Sequence, residues 1–436
     1  MKNLNKEILR IALPAVTGFL GLMLFDLVDV FWVSKLGTEA VAGVAAAGFL
    51  EWIVYSMMGA TATGAAALIA QAYGRKNKEQ AFQIAKETFH LSILFSLLLT
   101  LVLFCSGSSI LKWMGLSEVA HRYGLAYFKV LSLGVVVFYL FHLLGQIFNA
   151  YGDTKTSIII LTLSLILNAA LDPFFIFGWW IFPKWGTFGA SFASLLSCAL
   201  GSLARYVYLR KREYIGSFRS LFQWSSDFHI KILKIGVPTA LSHLIWAFVY
   251  PLLSPVIARF GMAPLAAVTI AQRIEAIAYF SAYGFSIAMT SLVGQAIGKN
   301  NLEEAKVISE RGKWLITALL IPVTLVFVFI PDVLVRLLSQ DPEVVFHGTN
   351  FLRILGYAEI FLGWEMLLEG CFNGLGNTRP YMLISVPLTF GRYPMAYLLV
   401  VTFGYGVEAV WWTITISTVL KGILMNFVLD RESQSL

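Results

Sequence analysis

Twelve apolar runs divide this chain, most of them long enough to cross about 30 Å of hydrocarbon as a helix. They fall at 8–33, 41–72, 84–111, 118–148, 154–176 and 186–209, then at 230–257, 263–294, 311–336, 344–373, 380–402 and 406–428. Runs of this length exceed a barrel strand, and a helix satisfies its backbone hydrogen bonds internally, as a bilayer interior demands. Composition closes the soluble alternative. Of 436 residues, 58% are hydrophobic and only 13% charged, too few to wet a globular surface. The expected fold is an all-α polytopic membrane protein of twelve transmembrane helices, with the lipid bilayer as its solvent.

The net charge of +7 does not mark a nucleic-acid binder, because the basic residues sit in short clusters between apolar runs. One side of the membrane collects Lys2, Lys6 and Arg10, then Arg75, Lys76 and Lys78, then Arg210, Lys211, Arg212 and Arg219, then Lys299, Lys306, Arg311 and Lys313. The other side carries isolated charges such as Lys35, Lys112 and Lys184. The bias of Lys and Arg places both termini in the cytoplasm. Cys105, Cys198 and Cys371 lie far apart in or beside apolar runs and read as small hydrophobes. The first apolar run is too long for a cleaved signal peptide and lacks a clear cleavage site. No Walker loop and no zinc-protease spacing occurs, so neither an enzyme nor a cofactor is expected.

The chain also repeats itself. "LRIALP" at 9–14 matches "LKIGVP" at 233–238, an offset of 224 residues. The same offset pairs "IAQAYGRKNKEQA" at 69–81 with "VGQAIGKNNLEEA" at 293–305, and "NAYGDTK" at 149–155 with "NGLGNTR" at 373–379. Each repeat holds six spans, an even number, so both enter from the same face as parallel repeats. The organisation expected is an N-terminal lobe at 1–209, a cytoplasmic linker at 210–229 and a C-terminal lobe at 230–436. Two such lobes can rock about the seam between them and expose a cavity to each side in turn. A duplicated structural protein is the plainer alternative.

Ionisable residues inside the spans favour transport, since a carboxylate in hydrocarbon costs several kcal/mol unless it faces protein or water. Asp26 and Asp29 occupy the outer part of span one and Asp172 that of span five, with Asn168 one turn before Asp172. Ser191 or Ser194 of span six reaches the same level. Two carboxylates sharing a site resist ionising together, so the pair can take up a proton. With neutral oxygens beside it, the pair also suits sodium. Asp29 and Asp172 are therefore expected to carry the coupling ion, with Asn168 and Ser194 as neutral ligands and Asp26 as a further partner. The alternative is that these acids cap helix ends or face an outer vestibule.

A second set of acids lies deeper. Glu51 and Glu275 correspond at the 224-residue offset, and Glu359, Glu365 and Glu369 follow one another in span ten, with Arg392 in span eleven. These side chains either line a cavity for an organic cation or form an ion-pair network in which Arg392 neutralises Glu359. Pro14 and Pro238 hold equivalent places in spans one and seven and either bend those helices or sit in their first turns.

These features resemble the multidrug and toxic compound extrusion (MATE) transporters, in particular their prokaryotic DinF-like branch. The likeness rests on "IALP" at 11–14, "DLVDVFWVSKLG" at 26–37, "IAQAYGRKN" at 69–77, "NAYGDTK" at 149–155 and "LNAALDPFFIFG" at 167–178, with the echoes "VGQAIGKNN" and "NGLGNTR". It implies two six-helix lobes around a central cavity and export of amphipathic, often cationic compounds in exchange for protons or sodium ions. It places the family's first-helix acid at Asp29, its fifth-helix Asn and Asp at Asn168 and Asp172, and its bending proline at Pro14. A sixth-helix hydroxyl falls at Ser194, although "WWIFPKW" at 179–185 disturbs the spacing. The expected partners are a small amphipathic or cationic substrate and the bilayer of a prokaryotic cell membrane. No nucleic acid is expected, and the chain should act as a monomer. A flippase for lipid-linked precursors within the same superfamily is the nearest alternative reading. A nontransporting receptor or assembly protein is the alternative from another class.

Overall fold

A computed structural model describes residues 2–217, 221 and 223–435, so Arg219 of the linker lies outside the described residues. Among these residues the structure is helical, with no strand. The first repeat consists of α1 (Lys2–Ser34), α2 (Thr38–Gly74), α3 (Lys78–Trp113), α4 (Glu118–Ala150), α5 (Thr154–Phe177) and α6 (Thr187–Lys211). The second begins with α7 (His229–Ile257), α8 (Met262–Gly298) and α9 (Leu302–Phe329). It continues with α10 (Pro342–Gly356), α11 (Glu359–Leu375), α12 (Arg379–Thr402) and α13 (Glu408–Ser435).

Eleven described helices are each long and apolar enough to cross a membrane. The twelfth span differs from the single run expected at 344–373. It is broken into α10 and α11, where Ala358 N–H bonds to the carbonyl of Leu355, three residues back, and tightens the turn. Asp341 caps α10, accepting from the backbone N–H groups of Glu343 at 2.9 Å and Val344 at 3.2 Å, and Pro342 occupies its first turn. Span nine also ends earlier than the expected residue 336. Helix α9 stops at Phe329, and Pro331 opens a separate short helix, Pro331–Arg336. Pro14 and Pro238 lie well inside α1 and α7, so neither is a first-turn proline.

Helix α3 shows why the chain requires lipid. Its Leu94, Leu97, Leu98 and Leu101 are more than half exposed, whereas Glu87, Thr88, Ser92 and Ser96 are fully buried. Polar groups face the protein and apolar ones face outward, the reverse of a helix on a soluble protein. The twelve spans form two parallel repeats of a multi-pass membrane protein.

Contacts divide the chain into two compact units whose edges differ from lobes drawn at the linker. One unit is Thr17–Val237; the other joins Met1–Val16 to Pro238–Leu436. The start of α1 thus packs with the second repeat, and the start of α7 with the first. Absent side chains make both approaches possible. A Cβ at Gly236 of α7 would lie 2.1 Å from the Ala60 carbonyl oxygen on α2, and one at Gly284 of α8 would lie 2.6 Å from Val16 and 3.2 Å from the Ala12 oxygen on α1. Ala12 and Gly284 stand at the repeat offset from Gly236 and Ala60, so the same contact is built twice with glycine on opposite partners.

The chain leading into α7 is fastened within the Thr17–Val237 unit by Glu87. Its buried carboxylate accepts from Ser225 Oγ at 2.7 Å, the Asp227 N–H at 3.2 Å, the Phe228 N–H at 2.6 Å and Gln83 Nε2 at 3.3 Å. It acts as an N-terminal cap supplied by another helix. Replacing Glu87 by Ala strands these donors and should weaken the attachment by about 3 kcal/mol. Amide exchange at 225–228 should then accelerate about 100-fold, and unchanged exchange would show that the attachment does not depend on Glu87.

Candidate functional site

In the Thr17–Val237 unit, three helices bring the first group of polar residues together. Asp29 lies on α1 and Asp172 on α5, each five residues before its helix ends, at Ser34 and Phe177. The two helices are spans one and five, so they cross in the same direction and the equal spacing becomes equal depth. Asp172 is 1% and Asn168 4% exposed. Asn168 Nδ2 donates to Asp172 Oδ1 at 3.1 Å, one helical turn away. Ser194 Oγ of α6 donates to Asn168 Oδ1 at 3.1 Å and to the Ala190 carbonyl at 3.3 Å. The serine therefore fixes the amide, and the amide presents its N–H groups to the carboxylate.

The carboxyl groups of Asp29 and Asp172 lie within hydrogen-bonding reach of each other. Two carboxylates hydrogen-bond only when a proton lies between them, so this contact is itself a place for one. Asp29 Oδ1 and Asp172 Oδ2 are buried and have no hydrogen-bond partner among the described residues. Asp26, one turn before Asp29, and Glu51 of α2 lie near enough for their charges to act on Asp29. Glu51 thus belongs with the aspartates of this unit, apart from the deeper acids with which the sequence pattern grouped it. Among the described residues no three His, Cys, Asp or Glu side chains form a metal-binding group. A sodium ion here would take its remaining oxygens from Asn168 and Ser194, whose hydrogen bonds would have to rearrange.

The other unit holds the remaining acids. Glu365 of α11 pairs with Lys421 of α13, Oε1 to Nζ 2.5 Å, with both side chains at most 3% exposed. One turn on, Glu369 meets His243 Nε2 of α7 at 3.1 Å and accepts from the Tyr381 hydroxyl of α12 at 3.0 Å. Arg392 does not take Glu359 as an ion-pair partner. Its Nε donates to Ser417 Oγ at 2.7 Å and its terminal nitrogen to Thr418 Oγ1 at 2.8 Å, both on α13. Neutralisation of Glu359 by Arg392, one of the two readings from sequence, is replaced by this anchoring of α12 to α13. Glu359 Oε2 and Glu365 Oε2 are buried without a partner. Glu275 of α8 is half-buried and lies within the electrostatic reach of Glu359, Arg392 and Lys421.

Sequence reasoning singled out neither Lys421 nor His243. A lysine in the middle of an apolar span was the available signal for the first. It also passed over Arg205 of α6, which is 4% exposed. That guanidinium donates to the carbonyls of Phe141 and Ser157 and lies 3.7 Å from the Phe141 ring centroid, tying α6 to α4 and α5.

Comparison with known proteins agrees with this architecture. The MatE family model matches residues 14–174 and again 238–398, so the two matches begin at Pro14 and Pro238, separated by the repeat offset. The "Probable multidrug resistance protein NorM" of Thermotoga maritima is 28% identical over 412 residues, covering 94% of this chain and 88% of that protein. The "Probable multidrug resistance protein YoeA" of Bacillus subtilis is 25% identical, covering 84% and 80%. Among solved structures, a MOP superfamily transporter from Pyrococcus furiosus, described as having a binding pocket of reverse polarity, superposes with a TM-score of 0.91. It is 23% identical and covers 99% of this chain and 96% of its own. An outward-facing multidrug resistance MATE family transporter also gives 0.91, at 24% identity and the same coverage. With a family model matched once in each repeat, over most of its length, the chain belongs to the MatE family.

Proposed function

We propose that this protein is a secondary antiporter that exports amphipathic, cationic organic compounds in exchange for protons or sodium ions by alternating access. The observation that carries the reading is the buried Asp29–Asp172 pair, two carboxyl groups in contact inside a transmembrane unit. Such a pair changes its net charge when a small cation arrives or leaves, and that change can bias a two-state protein. The direct carboxyl–carboxyl contact supports protons as the coupling ion. Export of drugs is supported by the relatives named multidrug resistance proteins. Among the buried charged side chains described in the second unit, three acids, Glu359, Glu365 and Glu369, stand against two cations, Arg392 and Lys421, which supports a cationic cargo. The protein acts as a monomer in a prokaryotic cell membrane, and the Lys and Arg distribution supports both termini lying in the cytoplasm.

The test is reconstitution into liposomes, with export of a fluorescent organic cation followed under a pH gradient and, separately, a sodium gradient. Export driven by one of them is expected, and it names the ion. Cargo movement under neither gradient, accompanied by lipid scrambling, would instead identify a flippase. No substrate-dependent flux of any kind would leave a receptor or assembly protein as the surviving reading.

A further inference from the structure

The loop that joins α5 to α6 is built to hold large apolar side chains away from the protein. It leaves α5 at Gly178, whose φ of +74° suits only glycine well, and folds back along the last turn of that helix. The Trp185 N–H donates to the Phe175 carbonyl at 3.0 Å and the Gly186 N–H to the Ile176 carbonyl at 3.1 Å. Inside this fold, Trp185 stacks on Phe175 with centroids 5.5 Å apart, and Phe182 and Phe192 each meet Phe175 edge-on. Trp179 packs edge-on against Trp32, one turn beyond Asp29 on α1, at 6.2 Å. The base of the loop is therefore rigid and is joined to both helices that carry the aspartate pair.

Its tip is the opposite of packed. Trp180 is 86% exposed and Ile181 77%. Trp180 also has φ +64°, a left-handed conformation that side chains other than glycine, Asn and Asp rarely adopt. In water this tip would be the worst place for the chain's largest apolar side chain. At a bilayer boundary it is favourable, because an indole settles among headgroups with its ring on the acyl chains and its N–H in the polar layer. Two further observations point to lipid. The two helices that the loop joins also expose apolar side chains along their length, Ile159, Leu163 and Ile166 of α5 and Leu200 and Leu203 of α6. The exposed Lys184 at its base supplies a cation of the sign that phosphate headgroups attract.

We infer that residues 178–186 form an interfacial anchor, in which Trp180 and Ile181 enter the phospholipid headgroup region beside Lys184 and hold the ends of α1 and α5 at a fixed depth. This inference does not depend on what the protein carries.

The experiment compares the full-length protein with Trp180→Phe in phosphatidylcholine nanodiscs, so that the difference in emission isolates Trp180. A substitution at so exposed a position leaves the packing beneath it intact. With lipids brominated near the headgroup end of the acyl chains, the Trp180 component should lose most of its intensity. Lipids brominated near the chain ends should quench it less, and aqueous iodide should barely reach it. A Trp180 component untouched by either lipid and quenched by iodide as fully as free N-acetyltryptophanamide would overturn the anchor. Stronger quenching by the deep bromines than by the shallow ones would overturn it equally.

Discussion

Asp172→Asn is expected to give a folded protein that remains in the membrane yet exports nothing when an ion gradient is imposed. The substitution is nearly isosteric. An amide oxygen can still accept from Asn168 Nδ2, now 3.1 Å from Asp172 Oδ1, so the loss of stability should stay within about 1 kcal/mol. What disappears is the ability to change charge. An amide cannot share a proton with Asp29, and it offers a sodium ion a dipole where it had an anion. Asp29→Asn should behave alike, because the property belongs to the pair and either partner removes it. Ser194→Ala should be milder. That serine touches Asn168 and leaves the carboxylates to others, so its loss frees the amide to turn and costs about one neutral hydrogen bond. Binding of a labelled cation, measured without a gradient, separates lost coupling from lost folding: it should persist in both aspartate variants. Gradient-driven export at the parent rate in either variant would remove the pair from the mechanism.

The fold was readable because hydropathy acts over lengths that sequence displays directly. An apolar run of sufficient length must be helical in lipid, and a repeated motif at one offset must build the same unit twice. Asn168 and Asp172 were readable as a pair because four residues along one helix is a fixed distance. Asp29 lies far away in sequence, and its matching depth in span one, together with the family resemblance, linked it to Asp172. Where a contact depended on the rotation of two helices about their axes, the sequence was silent. Ser194 matched the right depth but turned to Asn168, and Arg392 matched Glu359 in depth but turned to Ser417 and Thr418. The break between α10 and α11 carried no proline, since Tyr357 and Ala358 look like ordinary helix residues. The early stop of α9 was marked by Pro331, a signal that the apolar run concealed.

Lys421→Met is expected to destabilise the protein by about 3–5 kcal/mol, a range found when one partner of a buried ion pair is removed and the other remains. Lys421 is 1% exposed and Glu365 2%, so no solvent can replace the missing partner. The ammonium bonds to Glu365 Oε1 at 2.5 Å, and Oε2 of the same carboxylate is already buried without a hydrogen bond. Glu369, one turn along α11, adds negative charge near the same ammonium, which raises the cost of leaving Glu365 ionised and alone. Thermal unfolding in nanodiscs reads the loss. The double variant Lys421→Met with Glu365→Gln removes both charges and should recover most of the stability, since two neutral side chains need no counterion. The double variant also divides the two readings of these acids. If Glu365 only holds α11 to α13, the recovered protein exports at the parent rate; if Glu365 receives the cargo, the protein is restored to full stability but binds a labelled cation weakly. A single variant as stable as the parent would mean that the ammonium contributes nothing to the fold at this point.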